Sequence, residues 1–417
     1  MNGQAITAVD EKTSWFRDKI LMGKTVGEYV RSLVTPFNVI AAMILAVGLP
    51  VMAYRFWKGL GASTHLSDIN PWGLWLGFDM FFGVAVATGG FVMVVGVYLF
   101  GRKDYKPMVR PAILTGFLGY FFAIMGLAID LGRYWALPLP FYYFGTASVL
   151  FLVAEHLCLY LMIQFIEFLP AVVEWLNLKK IRAWLDKIHI GAVILGSVLV
   201  MGHQSALGAM FLLMPTRLHP LWYSTFIPYL FFVSCLYGGI AMLIIESMIS
   251  HNVFGYQLKG QEHSEAHMND LTIGLAKAAA FCLFAYFALM TLSLARGLAH
   301  GDFTMNTLMH TGYGWWKWFE IGFGVVLPMF LYAYAVRGNN AGLARAGSIV
   351  AVLGVMINRF NVVMVGLNWN APVRYFPSWM EIMGSLTLAT IGVCVFKWIV
   401  NRMPVLYRLP DFPDVDH

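Results

Sequence analysis

Charge is scarce in this sequence. Only 12% of the 417 residues are Asp, Glu, Lys or Arg, whereas roughly 25% are charged in an ordinary soluble domain. Hydrophobic residues make up 59% of the chain, and its mean hydropathy is +0.69. These values exclude a soluble enzyme, a disordered chain and a nucleic-acid-binding domain. We therefore expect an integral membrane protein that lies in a lipid bilayer.

Cysteine is also scarce and is never clustered. The four cysteines lie singly in apolar runs, with no CxxC spacing. Disulfide frameworks, zinc sites and iron–sulfur clusters need grouped cysteines. We expect no metal site or iron–sulfur cluster in this chain, and four thiols buried as small apolar side chains. The first 34 residues lack the apolar core of a signal peptide, so cleavage is not expected.

Ten stretches are apolar enough to cross a membrane, since a transmembrane helix needs about 20 mostly apolar residues. They lie at 35–56, 73–100, 110–131, 143–171, 188–213, 222–249, 272–296, 317–336, 342–366 and 379–400. No linker or run of charges divides them. The sequence predicts an all-α polytopic membrane protein, with an N-terminal segment at 1–34, a ten-helix domain at 35–400 and a tail at 401–417.

The distribution of Lys and Arg predicts the orientation. If the N-terminus is cytoplasmic, about 20 of the 28 basic residues lie on the inner side. Because ten helices return the chain to the side where it began, both termini are expected in the cytoplasm. The net charge of +6 then follows from this bias, and no nucleic-acid partner is needed.

Polar residues collect in the outer half of the predicted helices. Ionisable groups are expensive in a membrane and are functional candidates by default. Some have simpler explanations: Asp130 and Arg133 could pair at i, i+3, and Arg359 could tie to a carbonyl or to Glu381. The whole set is Asp79, Asp130, Arg133, His203, Gln204, Asn358, Arg359 and Glu381.

Asp79 and His203 have no charged partner on their own helices, and together they suit a quinone head group. Quinone reduction takes up two electrons and two protons at two carbonyl oxygens. A histidine can donate to one carbonyl and pass on a proton, and a buried carboxyl can re-protonate the histidine. Trp72, Trp75, Trp135 and Tyr134 would line the approach of the ring, although anchoring at the membrane interface explains them equally well.

Other buried groups lie deeper or nearer the cytoplasm. Glu155, Glu167, Glu246 and Lys277 could form a proton half-channel from the inner side, or simply make helix-packing hydrogen bonds. His156 and His203 reach similar depths, so one bis-histidine haem is geometrically possible. A dihaem cytochrome b needs four such histidines, and only two lie well inside the predicted helices.

Six segments carry a family resemblance. They are PWGLWLGFD (71–79), GRKDYKPMVRPAIL (101–114), IDLGRYWALP (129–138), MGHQSALGAM (201–210), HPLW (219–222) and RYFPSWMEI (374–382). On these motifs the sequence resembles the NrfD/PsrC family of quinone-interacting membrane subunits. The resemblance is to its ten-helix branches, the hydrogenase-2 (HybB-like) type and the menaquinone reductase type.

The resemblance implies a fold of two four-helix bundles, helices two to five and six to nine, flanked by two further helices. It implies a bacterial inner-membrane protein that carries no haem or cluster and binds menaquinone near the periplasmic face. The implied partners are a periplasmic ferredoxin-like iron–sulfur subunit and further redox subunits, either a multihaem cytochrome c or a hydrogenase. We favour the menaquinone reductase type; the alternatives are a hydrogenase anchor, or a proton-translocating transport subunit without a redox role.

The motifs also imply site residues. Asp79, Asp130, Arg133, His203 and Gln204 match the pocket positions. The hydrogenase branch has a glutamate directly after its SVLF segment, where this chain has Leu152; Glu155, one turn further on, would replace it from nearly the same face. We predict His203, Asp79, Asp130 and Glu155 as catalytic residues, and Trp72, Trp75, Asp79, Arg133, Tyr134, His203, Gln204 and Arg359 as quinone-binding residues.

Overall fold

A computed structural model describes residues 15–143, 145–255, 265–407, 409 and 412. These residues form helices and connecting turns, with no β-strand among them. Ten helices are long and apolar enough to cross a membrane, which confirms the prediction. They are α1 (Pro36–Lys58), α2 (Trp75–Leu99), α3 (Lys103–Asp130), α4 (Val149–Trp175), α5 (Lys179–Leu213), α6 (Ile227–Phe254), α7 (Glu265–His300), α8 (Gly312–Arg337), α9 (Ala341–Gly366) and α10 (Trp379–Val400).

Side-chain caps mark several helix starts. The Thr35 hydroxyl accepts a hydrogen bond from the Asn38 amide, and Pro36 occupies the first turn of α1, where its missing N–H costs nothing. Ser378 and Glu381 form a reciprocal capping box at the start of α10. These local signals begin α1 and α10 at the edges of their apolar stretches.

The ten helices form two four-helix bundles and one flanking pair, as the resemblance implied. Helices α2–α5 pack against one another and so do α6–α9, and α6 joins the bundles by packing against α2 and α5. The two main apolar clusters each include residues of both bundles, so the core is continuous across them. Helices α1 and α10 pack against each other and lie against α3. The junction of α2, α3 and α10 is therefore a place where the flanking pair meets the first bundle.

Both ends of the described chain lie on the same side of the molecule. Arg402, just after α10, donates from Nε to the carbonyl of Ile20 at 3.0 Å and from Nη2 to the Tyr29 hydroxyl at 2.6 Å. Lys19 donates to the carbonyl of Trp175 at the end of α4. An even number of membrane-spanning helices requires this arrangement.

Several helices contain wide π-helical turns. They lie at Trp75–Phe82 and Val95–Leu99 in α2, Gly322–Val326 in α8 and Asn361–Gly366 in α9. Such turns are uncommon and change which way the following side chains point. The first of them contains Asp79, and the last begins two residues after Arg359.

Some helices extend beyond the apolar stretches that predict them. α3 begins at Lys103 instead of 110, and α5 begins at Lys179 instead of 188. The added turns carry basic and polar residues, which favour helix but not hydrocarbon. Apolar composition therefore predicts the part of a helix that crosses lipid, and it misses the turns that project into the interface.

Candidate functional site

Asp79 lies where α2 meets α3 and α10. It is 9% exposed, and its Oδ2 accepts a hydrogen bond from the Ser385 hydroxyl of α10 at 2.9 Å. The absence of a side chain at Gly126 of α3 leaves room for the β-carbon and carboxyl of Asp79. The wide turn of α2 and these two neighbours hold the carboxyl at the helix junction.

A cavity of about 180 Å³ adjoins Asp79 between α2, α3, α6 and α10. Its walls include the rings of Phe78, Phe82 and Phe122, and Asp79 is the one ionisable side chain among its lining residues. The Thr115 hydroxyl also lines the cavity, and this buried oxygen has no hydrogen-bond partner in the described part of the chain. An apolar cavity with a single carboxyl and aromatic walls is suited to a flat, weakly polar ring.

Asp130 lies close enough to Asp79 and Glu381 for their charges to interact. The expected i, i+3 pair with Arg133 does not form, because Arg133 is exposed in the loop after α3. Instead the buried Arg55 of α1 donates to the carbonyls of Ile129 at 2.6 Å and Leu131 at 2.5 Å. Arg55 caps the end of α3 and supplies the nearest positive charge to Asp130.

Arg55 was not identified as a site residue from the sequence. It lies one turn before the end of α1, where a basic residue also suits the membrane interface. Arg55 is buried because α3 and α10 pack around α1, and no local sequence pattern indicates that packing.

Glu381 is completely buried at the start of α10 and does not pair with Arg359. Its carboxylate accepts hydrogen bonds from the amides of Ser378 at 2.8 Å and His65 at 3.1 Å, and from the hydroxyl of Tyr375. Burial, followed by the bond to Glu381, raises the pKa of the Tyr375 phenol. Of the two ties considered for Arg359, the one to a carbonyl is present, since its Nη2 donates to the Phe231 carbonyl at 3.3 Å. The tie to Glu381 is absent, because the two residues lie in different parts of the fold.

His203 lies inside the first bundle, fully buried. Its Nδ1 donates to the Leu199 carbonyl at 2.7 Å, so Nε2 accepts from the Tyr120 hydroxyl at 2.9 Å. Gln204 donates to the Val84 carbonyl of α2 at 3.2 Å. Both ring nitrogens of His203 are engaged, and a haem iron could bind there only by displacing one of these bonds.

A series of polar groups extends from His203 towards the end of the bundle near Arg402. The rings of Tyr120 and Tyr160 are 4.6 Å apart, and Gln164 donates to the Tyr160 hydroxyl. Glu167 follows on the same face of α4 and lines a cavity of about 70 Å³. Charged and titratable groups surround this cavity, among them Lys106, Arg110, Arg182, Asp186 and His189.

A second buried polar network lies in the other bundle, around Glu320 of α8. Its carboxylate accepts from Lys317 at 2.9 Å, Asn358 at 2.9 Å, Trp222 at 2.8 Å and Asn361 at 2.5 Å. Neither Lys317 nor Glu320, which lie near the start of α8, was identified from the sequence. Their i, i+3 spacing was the available signal.

Arg359 belongs to this second network. Its guanidinium donates to Ser234 at 2.7 Å and to Asn358 at 2.8 Å, and it lies 3.7 Å from the centre of the Phe231 ring. It therefore serves the core of α6–α9, away from the cavity beside Asp79.

The remaining predicted residues lie outside the Asp79 cavity. Trp75 is buried and donates to the Glu381 carbonyl at 2.9 Å, and Trp72 packs against Phe81 and Phe211. Tyr134 stacks edge-on against Phe56. Glu155 is half-buried on α4. The structure thus brings Asp79 and Asp130 together, but His203 does not line the cavity beside Asp79, and among the described residues no hydrogen bond joins the two.

The other groups considered for a proton half-channel are spread over the fold. Glu246 accepts a hydrogen bond from Ser250 at 2.6 Å inside α6, and Lys277 is exposed on α7. Of this set, Glu167 is the member that approaches the His203 series. In the described part of the chain, no group of three or more His, Cys, Asp or Glu residues could hold a metal ion.

His219, from the HPLW segment, has a structural role at the end of the second bundle opposite the chain termini. Its ring lies 4.6 Å from that of Tyr313 and 4.9 Å from that of Trp369. Its Nδ1 accepts from the Leu221 amide at 3.1 Å, and its own amide donates to the Gly366 carbonyl at 2.9 Å. Burial lowers the pKa of His219 to about 4, so this ring is neutral near pH 7.

The chain is a polytopic membrane protein of two bundles and a flanking pair, with buried ionisable groups in its membrane-spanning part. A membrane anchor does not need such groups, because each is costly to bury in lipid. The model of the family described as "Polysulphide reductase, NrfD" matches residues 62–371, and the chain belongs to this family. The resemblance predicted from the motifs is confirmed. The chain is a membrane subunit of the quinone-interacting kind found in redox complexes.

Related proteins cover almost the whole chain. A protein of Nitratidesulfovibrio vulgaris (strain Hildenborough) is 45% identical over 92% of this chain and 98% of its own length. The probable Ni/Fe-hydrogenase 2 b-type cytochrome subunit of Escherichia coli K12 is 28% identical over 90% of this chain and 92% of its own. The menaquinone reductase integral membrane subunit of N. vulgaris is 24% identical over 87% and 88%.

Proposed function

We propose that this chain is the quinone-binding subunit of a respiratory complex in a bacterial inner membrane. It binds menaquinone with its head group beside Asp79, towards the periplasmic face, and takes electrons from a periplasmic ferredoxin-like iron–sulfur partner. Menaquinone reduction is the favoured direction. The names of two relatives, a menaquinone reductase subunit and a menaquinol oxidoreductase subunit, support a quinone redox role.

The cavity beside Asp79 is the observation that carries this proposal. Sites for whole drug-sized ligands measure roughly 300–1,000 Å³, so a cavity of about 180 Å³ suits the ring alone and leaves the isoprenoid tail in lipid. When bound, a quinone supplies the capacity to accept two electrons and two protons. The phenylalanine walls exclude water from the ring, and Asp79 is placed to hold a proton for a carbonyl oxygen.

Neighbouring groups control where the proton resides. Ser385 fixes one oxygen of Asp79 and leaves the other able to face the cavity. Asp130 and Arg55 lie at the outer end of the same junction, where Asp130 acts as a second proton-holding group. His203 acts within its own network, at one end of the Tyr120–Tyr160–Gln164 series that leads towards Glu167. That series supports proton supply from the cytoplasmic side.

A second candidate is the membrane anchor of a periplasmic hydrogenase, favoured by the 28% identity to the hydrogenase-2 subunit. The two candidates share the quinone site and differ in the electron donor, a multihaem cytochrome c or a hydrogenase. Purifying the native complex and identifying the subunits that accompany this chain separates them.

The quinone site is tested with Asp79→Asn in the intact complex, which keeps the side-chain shape and removes the titratable carboxyl. We expect quinone reduction to fall by about 100-fold or more, the usual contribution of a general acid, while the subunits still assemble. The matched control is Asp104→Asn, which makes the same change at an exposed carboxylate outside the cavity and should leave turnover close to wild type. Wild-type turnover in Asp79→Asn would refute the assignment.

A further inference from the structure

A groove of about 780 Å³ lies at the end of the molecule where α1 begins and α10 ends. Most of its lining is apolar, with Leu33, Val34 and Val39 on one side and Val253, Phe254 and Trp398 on the other. The groove therefore runs between α1, α6 and α10 and opens towards the space that lipid fills. It is far along the helices from Asp79, and it belongs to neither polar network described above.

Three cations line the same groove. They are Lys24, Lys397 and Arg402, and no Asp or Glu is among the lining residues. Lys397 donates to the Asn38 side-chain oxygen at 3.2 Å. Arg402 donates to two carbonyls and the Tyr29 hydroxyl. All of these acceptors are neutral, and the described part of the chain gives none of the three cations an ion pair.

Glu28 lies close enough to Lys24 for their charges to interact, but it is not among the lining residues. An apolar groove lined by three cations and no carboxylate suits an amphipathic anion. Basic pockets between transmembrane helices on the cytoplasmic side are typical sites for phosphate-containing lipid head groups. The distribution of Lys and Arg predicts that this end of the molecule is cytoplasmic. A zwitterionic lipid would leave the excess positive charge of the groove unbalanced. A purely apolar helix in the groove would bury the three cations without an anion, which is costly.

We propose that this groove binds an anionic glycerophospholipid of the surrounding membrane. Its phosphate lies at Lys24, Lys397 and Arg402, and an acyl chain lies against α1 and α10. The bound lipid bridges the N-terminal segment to the end of α10, and it is independent of the quinone proposal.

Native mass spectrometry of the purified complex tests this proposal, with added phosphatidylglycerol, cardiolipin or phosphatidylcholine as probes. We expect wild-type protein to retain phosphatidylglycerol or cardiolipin and to lose phosphatidylcholine. Comparing the retention of phosphatidylglycerol with that of cardiolipin identifies which of the two lipids supplies the phosphate. The variant Lys24→Gln/Lys397→Gln should bind the retained lipid roughly tenfold more weakly or worse, because both charges are removed while Arg402 and its packing remain.

Two further variants separate charge from shape. Lys58→Gln removes a cation at the opposite end of α1 and should leave lipid retention unchanged. Ala42→Trp fills the groove without changing its charge and should also lower retention. Equal retention of phosphatidylglycerol and phosphatidylcholine, or unchanged binding in the double lysine variant, would overturn the proposal. So would a partner polypeptide found to fill the groove in the complex.

Discussion

Glu320 shows how this fold keeps a charge in its apolar interior. Two asparagines, a tryptophan and a lysine donate to its two oxygens, so the carboxylate has a donor for most of its accepting positions. Lys317 balances its charge within the same helix. Removing one member of a buried pair leaves the other charge uncompensated, which costs far more than the net value of the pair.

We predict that Glu320→Gln lowers the free energy of unfolding by about 3–5 kcal/mol, because it leaves the Lys317 ammonium buried without a counter-charge. The measurement is denaturant or thermal unfolding of the detergent-solubilised protein. Asp104→Asn, which changes an exposed carboxylate, is the control and should have no measurable effect.

The pairing itself is tested by the double variant Lys317→Met/Glu320→Gln. It should recover at least half of the lost stability, since neither charge is then buried. If the loss of unfolding free energy in the double variant equalled the sum of the losses in the two single variants, the two residues would not be coupled.

At the scale of helices, α2 and α6 approach very closely. Gly89 and Gly239 face each other, and a methyl group added at Gly239 would lie 2.7 Å from the backbone nitrogen of Gly89. Small residues permit such crossings in membranes, where tight packing drives helix association. This crossing joins the two bundles.

We predict that Gly239→Ala lowers stability by about 1–3 kcal/mol, because the added methyl must push backbone away from backbone. Thermal unfolding of the purified protein measures the change. Gly191→Ala is the matched control: it lies in α5 with nothing near the new methyl group, so it should be neutral or slightly stabilising. Similar destabilisation in both variants would contradict a role for the crossing.

The helices themselves could be predicted from the sequence, and the grouping of their polar residues could not. Hydropathy reports depth along a helix, and Asp79 and His203 were correctly placed inside α2 and α5. Which way each side chain points depends on packing and on wide turns such as Trp75–Phe82. Asp79 consequently faces α10 while His203 faces Tyr120. Arg55 was overlooked for the same reason.

At the scale of the whole molecule, the same-side contact between Arg402 and Ile20 agrees with an even number of membrane crossings. The Lys and Arg bias predicts that this shared side is cytoplasmic, and the orientation decides which face receives electrons and which supplies protons.

We predict that a cysteine at Lys103 is reachable only from the cytoplasm and one at Trp135 only from the periplasm. Both positions are exposed at opposite ends of α3, and the basic loop at Lys103 is expected to stay inside. An impermeant thiol reagent on intact cells should label Trp135→Cys well and Lys103→Cys only after permeabilisation. Unmodified protein gives the background, since its own cysteines lie within the helices. Labelling of Lys103→Cys in intact cells would reverse the orientation.

The pairing of α1 with α10 has a consequence for how the protein is made. Helix α1 is synthesised before α2–α9 and finds its partner α10 only after those helices have been inserted, so it must wait in lipid with that surface uncovered. Ser385, which holds the Asp79 carboxyl, arrives with α10. A chain released before α10 is synthesised would therefore carry an unfinished Asp79 site, and synthesis of α10 becomes a condition for assembling it.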